Sequence, residues 1–211
     1  EMHDLFQRVG FGAPPRLGFP GEASGKLREA KTWRPIEQAT MAYGHGISVS
    51  LLQLARAYTV FARDGDLAPV SLVKTGMPAA GRPVLSQQTA RAMREMLEAA
   101  AQPGGTAPRA RIMGWRVAGK TGTAHKQEKG GYAAHKYISS FVGFAPASDP
   151  RLVIAVMIDE PGAGQYYGGA VAAPVFAQVM QGALRLLNVP HDAPVVPLEL
   201  PGETDFAKES T

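Results

Sequence analysis

The 211-residue chain carries 22 Lys and Arg against 18 Asp and Glu, 5 His and no Cys, for a net charge of +4; disulfides and thiolate metal sites are excluded, and the charge is too mild to argue for nucleic acid. Its 24 Gly and 17 Pro, about a fifth of the chain against roughly 12% on average, accompany 45% hydrophobic residues, which favours one loop-rich globular domain over a disordered chain. The longest unbroken apolar run, Leu152 to Ile158, spans seven residues, where a membrane helix needs about 20.

The chain opens at Glu1 without an initiator Met or a targeting signal, so it is expected to be cut from something longer. Residues 1–46 are dense in turn formers, with only a short helix end expected at Met2 to Val9; a stretch of this kind is read as a loop that wraps a core. From Ser48 to Gly65 the apolar residues Leu51, Leu54, Ala55, Tyr58, Phe61 and Ala62 recur at helical spacing. Ser50 and Gln53 form a capping box, and Gly65 is the stop. A short extended pair, Val70 to Lys74 and Gly81 to Leu85, is expected next, then a helix opened by Ser86 with Ala90, Met93, Leu97 and Ala100 on one face. Strands are expected over Arg111 to Ala124, Lys136 to Ala145 and Arg151 to Asp159, antiparallel in a sheet. Leu152 to Ile158 does not alternate, which suits a strand covered on both faces. A last helix is expected over Val171 to Leu187, with Pro174 in its first turn and Val175, Phe176, Val179, Met180, Ala183, Leu184 and Leu187 as its packing face. Residues 1–188 read as one body and 189–211 as a Pro-rich extended tail.

The segment GWRVAGKTGTA, Gly114 to Ala124, supports two incompatible readings. Gly114, Gly119, Lys120 and Thr121 satisfy the phosphate-loop pattern of nucleotide-binding proteins, and LVIAVMIDE, ending at Asp159 and Glu160, imitates its magnesium-binding strand. That loop works only if it curls round an anion and then enters a helix. Here Trp115, Arg116, Val117 and Ala118 would have to curl, and Gly122, Thr123 and Ala124 would have to start the helix. The other reading takes Lys120, Thr121, Gly122 and Thr123 as K-T-G-T on an exposed strand, a signature of serine penicillin-binding proteins and β-lactamases. Lys120 supplies positive potential, the Thr121 hydroxyl binds a peptide carboxylate, and Gly122 leaves the face open to a substrate backbone. The Thr123 amide then donates to a developing oxyanion, a term typically worth about 3 to 4 kcal/mol, while the peptide adds to the strand edge.

The wider sequence carries the second reading. YGHGISVSLLQLARAYTVFARDG (Tyr43 to Gly65), VAGKTGTAHK (Val117 to Lys126), GGYAAHKYISSFVGFAPASDPRLVIAVMIDEP (Gly130 to Pro161) and YYGGAVAAPVFAQVM (Tyr166 to Met180) resemble the C-terminal half of the transpeptidase domain of class B penicillin-binding proteins, cell-division (FtsI, penicillin-binding protein 3) type. The resemblance implies an α+β fold, a partial penicillin-binding and serine β-lactamase-like transpeptidase fold with an antiparallel sheet flanked by helices. It implies a peptidoglycan D,D-transpeptidase that cross-links D-Ala-D-Ala stem peptides of the septal cell wall and is a β-lactam target. Its parent would be anchored at the periplasmic face of the bacterial inner membrane among cell-division membrane proteins, with no cofactor, metal or nucleic acid.

Carried over by position, the resemblance makes Lys120 and Thr123 catalytic. Thr121, Gly122, His125, Tyr132, Tyr166, Tyr167 and Gly168 become substrate-binding residues, His125 standing where many relatives place an arginine. The family's S-x-x-K and S-x-N motifs are not matched. Asn188 is the only Asn, and Ser71 to Lys74 spells S-x-x-K in an extended stretch after Pro69 rather than at the start of a buried helix. No nucleophile is therefore assigned in this chain, and the missing N-terminal half of the domain is an expected partner, pairing with the strand at Arg151 to Asp159. Alone, the chain is expected to be inactive. A non-catalytic module of the same fold is the further alternative. Arg109, Arg111, Arg116, Lys120, Lys126, Lys129 and Lys136 gather around one strand and loop and suit an anionic peptide, with a solvated face as the plainer reading for those other than Lys120.

Overall fold

A computed structural model describes residues 1–77, 79–128 and 131–196. Its elements are α1 (Met2–Arg8), α2 (Pro35–Met41), α3 (Leu51–Ala62), β1 (Asp66–Leu67), β2 (Arg82–Pro83), α4 (Gln87–Ala101), β3 (Ala118–Glu128), β4 (Gly131–Ala145), β5 (Leu152–Asp159) and α5 (Gly168–Leu186), with 3-10 turns at Ala30–Thr32 and Pro108–Ala110. The strands β3, β4 and β5 form an antiparallel sheet in that order, while β1 and β2 pair separately. Helix α5 packs on one face of the larger sheet through Phe176, Met180 and Leu184, against Phe141, Ala145, Leu152, Ile154 and Val156. On the other face Tyr58, Phe61 and Ala62 of α3 and Leu97 of α4 meet Ala118, Phe144 and Val153. The neighbours of β5 thus alternate between two helical layers, which is why its sequence is apolar throughout. Phe141, Phe144 and Phe176 are wholly buried, and truncating a side chain of this kind to Ala costs about 3–5 kcal/mol.

Helix α3 begins as its sequence dictates: the Gln53 N–H donates to Ser50 Oγ at 3.1 Å, and Gln53 Oε1 accepts the Ser50 N–H at 2.7 Å. The Gln53 side-chain amide, 2% exposed, also donates to the carbonyls of Gly10, Ala13 and Ser24 at 3.2, 2.8 and 3.0 Å. That is how the N-terminal loop is held. Ala57 and Val60 of α3 are buried as well, with Val60 packed on Leu67 and Val84, while Tyr58, Phe61 and Ala62 face the larger sheet, so the helix serves two clusters. Ser86 caps α4, and Ala90, Leu97 and Ala101 form its buried face.

Several expected boundaries move. Residues Arg111 to Val117 do not form a strand: Ile112 and Trp115 make an isolated bridge round Gly114, whose φ is +88°. Trp115 turns inward, 4% exposed, and its Nε1 donates to the Pro190 carbonyl at 3.0 Å. Residues 189–193 accordingly lie back on the body, with Val189 buried and Ala193 N bonded to the Gly114 carbonyl; residues 197–211 lie outside those described. Val70 to Lys74 is not extended pairing either, since the two-stranded ladder uses Asp66–Leu67 with Arg82–Pro83. Helix α5 starts at Gly168, three residues before Val171, so Pro174 lies inside the helix, where it has no N–H for the Ala170 carbonyl. Phe176, Met180 and Leu184 of its expected packing face are buried, but Val175, Val179 and Leu187 are exposed.

Candidate functional site

The four K-T-G-T residues lie consecutively on β3, an edge strand whose only partner among the described residues is β4. Register pairs Lys120 with Val142, Thr121 with Phe141, Gly122 with Ser140 and Thr123 with Ser139. Directly opposed residues share a face, so Thr121, Thr123 and His125 stand on the α5 side with Phe141, and Lys120 and Gly122 on the other. No helix follows Thr121: the chain continues as strand to Glu128. The phosphate-loop reading of Gly114 to Thr121 is therefore wrong. Amides committed to a strand ladder cannot curl round a phosphate, and no helix N-terminus faces the spot.

Lys120 is exposed at the free edge, and its Nζ donates to Thr121 Oγ1 at 3.0 Å, to the Thr121 carbonyl at 3.3 Å and to Thr106 Oγ1 at 3.5 Å. Thr121 Oγ1 donates to Thr106 Oγ1 at 3.2 Å. Thr106, from the loop after α4, is thus part of the cluster, although the sequence reading passed it over. Its only trace is its place directly after Gly104 and Gly105. Thr123 Oγ1 accepts the backbone N–H of Gly168 at 3.0 Å, so the first amide of α5 is satisfied from β3. Ser139, wholly buried, donates from Oγ to the Tyr166 carbonyl, fixing the turn before α5 against the sheet.

These ties bring the Tyr166–Gly168 loop beside the strand. The rings form a column: His125 against Tyr137 at 4.6 Å, Tyr137 stacked on Tyr166 at 3.9 Å and 10°, and Tyr166 against Tyr167 at 4.4 Å, with the Tyr166 hydroxyl donating to that of Tyr167 at 3.2 Å. Tyr137 links the column and was not singled out from sequence. It lies opposite His125 in the ladder, a register that only the folded hairpin reveals. The structure therefore assembles Lys120, Thr121, Gly122, Thr123, His125, Tyr166, Tyr167 and Gly168 in one place. For Tyr132 only the backbone, paired with Gln127, is described; its side chain lies outside the described residues, as does Lys129.

Two members of the expected positive cluster, Arg116 and Lys126, are held in ion pairs. Arg116 Nε and Nη2 donate to Glu98 at 2.6 and 2.7 Å. Lys126 Nζ donates to both Asp159 oxygens at 2.9 and 2.7 Å and to Glu160 at 2.7 Å, and these bonds raise its pKa above the usual lysine range. Ser71 is exposed in a local turn, its Oγ donating to the Val73 carbonyl at 2.8 Å and accepting the Val73 N–H at 3.0 Å, which is no setting for an activated nucleophile. A cleft of about 440 Å³ lies between the end of α3, α4 and the β4–β5 turn, lined by Asp64, Arg91, Arg94, Glu98, Arg116 and Ser148 among others. None of the K-T-G-T residues lines it, and within it Arg91 and Arg94 pair with Asp64 and Arg116 with Glu98.

Among protein families, residues 1–181 match the penicillin-binding protein transpeptidase domain. The chain belongs to this family. It is 47% identical over 195 residues to the probable peptidoglycan D,D-transpeptidase PenA of Neisseria meningitidis, and 43% identical over 190 residues to the peptidoglycan D,D-transpeptidase FtsI of Escherichia coli K12. Those matches take in 92% and 90% of this chain but 34% and 32% of the relatives, so the transpeptidase-family chain spans about a third of their length. The solved transpeptidase domain of penicillin-binding protein 3 from Burkholderia pseudomallei superposes with a TM-score of 0.87 at 52% identity, covering 92% of this chain and 59% of that one. The fold is the penicillin-binding transpeptidase fold, represented in part.

Proposed function

We propose that this chain supplies the carboxylate-binding and oxyanion side of a serine D,D-transpeptidase acting on peptidoglycan stem peptides. The observation that carries the proposal is the position of Lys120 to Thr123 on an open strand edge, flanked by the ring column and the start of α5. A donor peptide lies along β3 as an added strand. Its terminal carboxylate meets Lys120 and the Thr121 hydroxyl, its backbone passes over Gly122, and its scissile carbonyl oxygen takes the Thr123 N–H. His125 lines the rim, Tyr166 and Tyr167 wall the pocket and Gly168 lets that wall sit close. Tyr132 is assigned to the acceptor side.

In the full-length protein a serine hydroxyl attacks the D-alanyl-D-alanine carbonyl carbon. The C–N bond breaks, D-alanine leaves with the serine proton on its amine, and an acyl ester remains. An amine of a neighbouring stem then attacks that ester, forming the cross-link amide and returning the proton to the serine. β-Lactams enter as donors and stop at the ester. No serine of these 211 residues is assigned the nucleophile's part; the N-terminal half of the same domain brings it. The assembly works at the periplasmic face of the inner membrane, with cell-division membrane proteins as partners.

Fluorescent penicillin tests the reading. The full-length protein becomes covalently labelled, Lys120→Ala abolishes the labelling, and the 211-residue chain alone stays unlabelled. An unlabelled full-length protein that keeps its fold would instead support a non-catalytic module.

A further inference from the structure

We propose that Thr106 is a positioning residue for ligand carboxylates: it holds the Thr121 hydroxyl beside Lys120 and changes from acceptor to donor when a carboxylate arrives. The inference rests on the function proposed above and adds to it a residue from outside the K-T-G-T strand.

Three polar atoms make the case. Thr121 Oγ1 accepts from Lys120 Nζ at 3.0 Å and donates to Thr106 Oγ1 at 3.2 Å, and Lys120 Nζ also lies 3.5 Å from Thr106 Oγ1. In this arrangement the one proton of the Thr121 hydroxyl points at Thr106. A carboxylate draws that proton strongly, because a hydrogen bond to an ion is roughly twice as strong as a neutral one. When Thr121 turns to donate outward, its oxygen keeps the bond from Lys120 but loses the one to Thr106. A second threonine repairs the loss, since a hydroxyl both donates and accepts: Thr106 rotates its own O–H onto Thr121 Oγ1.

The perch of Thr106 is built to keep it there. Gly105 before it lies against the end of α4, where an added Cβ would sit 2.4 Å from the Ala100 carbonyl oxygen and 2.7 Å from that of Ala99. Gly105 N donates to the Gln102 carbonyl and Ala107 N to the Ala100 carbonyl, each at 2.9 Å. Ala107 and Ala110 are wholly buried and Pro108 is buried. Thr106 itself is only partly covered, so an anchored backbone presents one side chain to the site.

The test uses the full-length protein, with saturation and acylation measured separately for benzylpenicillin and for its methyl ester, which lacks the anion. Thr106→Val, equal in shape but without the hydroxyl, is expected to weaken saturation by benzylpenicillin roughly three- to tenfold, the worth of one net hydrogen bond. The limiting acylation rate and the reaction with the ester stay as in the parent, and Thr106→Ser restores the acid's affinity. Should Thr106→Val not fold, Thr106→Ala is read by the same split. Equal losses for acid and ester, no loss for the acid, or no rescue by Thr106→Ser would overturn the inference while leaving the function standing. A parent protein that neither compound acylates would overturn the function itself.

Discussion

Gly168 has no space for a side chain. A Cβ there would lie 2.4 Å from the Ser140 carbonyl oxygen and 2.7 Å from that of Gly122, both backbone atoms that cannot step aside. Gly168→Ala is therefore expected to push α5 off β3 and to cost about 1–3 kcal/mol, the range for forced overpacking. Urea unfolding of the full-length protein measures that loss, and slower penicillin labelling should accompany it because the displaced strand carries Lys120 and Thr123. At this scale the strand placement of K-T-G-T was legible because bulky residues precede it and Gly122, Thr123 and Ala124 start no helix. Thr106 and Tyr137 were not legible. A lone threonine in a turn and a tyrosine in a hairpin acquire their contacts only from what register and a neighbouring helix bring beside them.

Among the elements, the N-terminal wrap depends on few side chains. Gln53→Leu keeps the volume but removes the donors to Gly10, Ala13 and Ser24, bonds worth about 0.5–1.5 kcal/mol each. It should make residues 10–25 an early target of limited proteolysis. Helix α2 adds a pH dependence. Glu37 accepts from the Arg34 backbone N–H at 2.8 Å and from Arg28 at 3.0 Å, and the Arg34 bond, then Arg28, depresses its pKa from 4.5 to about 2. A depressed carboxyl stabilises the fold above its unfolded pKa and ceases to as the pH falls through its folded one. The wrap should thus loosen between pH 4.5 and about 2, seen as a shift of the Trp33 indole resonance, since Trp33 Nε1 donates to the Arg28 carbonyl. Glu37→Gln should be loosened already at neutral pH. Across the sheet, Lys126 ties β3 to Asp159 and Glu160 beyond β4. Lys126→Met should speed amide exchange at 125–128 and 135–138, and added salt should do so weakly in the parent. Helices α3 and α4 were legible because their caps are local chemistry. The starts of β3 and α5 were not: Trp115 is drawn into the core by Pro190, and the Gly168 amide is caught by Thr123, so tertiary contacts place both ends.

At the level of the whole molecule, a three-stranded sheet lies between α5 and the α3–α4 pair. The segment beyond α5 returns to it through Asp192, which accepts from the Arg116 N–H and the Ser148 hydroxyl, both at 2.7 Å. Among the described residues β5 pairs only with β4, and Met157 on β5 and Val179 on α5 are each about half exposed. A bare apolar strand edge invites pairing with another chain. The 211-residue chain studied by itself should therefore self-associate in sedimentation at micromolar concentration, and Met157→Lys should shift it toward monomer.

Thr123 gives the sheet and the long helix a common hinge pin. Its hydroxyl holds the opening amide of a 19-residue rod about 28 Å in length. Whatever tugs at the strand must either drag that rod or snap the pin. Changed deuterium uptake at Gly168 during drug binding would register which of the two happens.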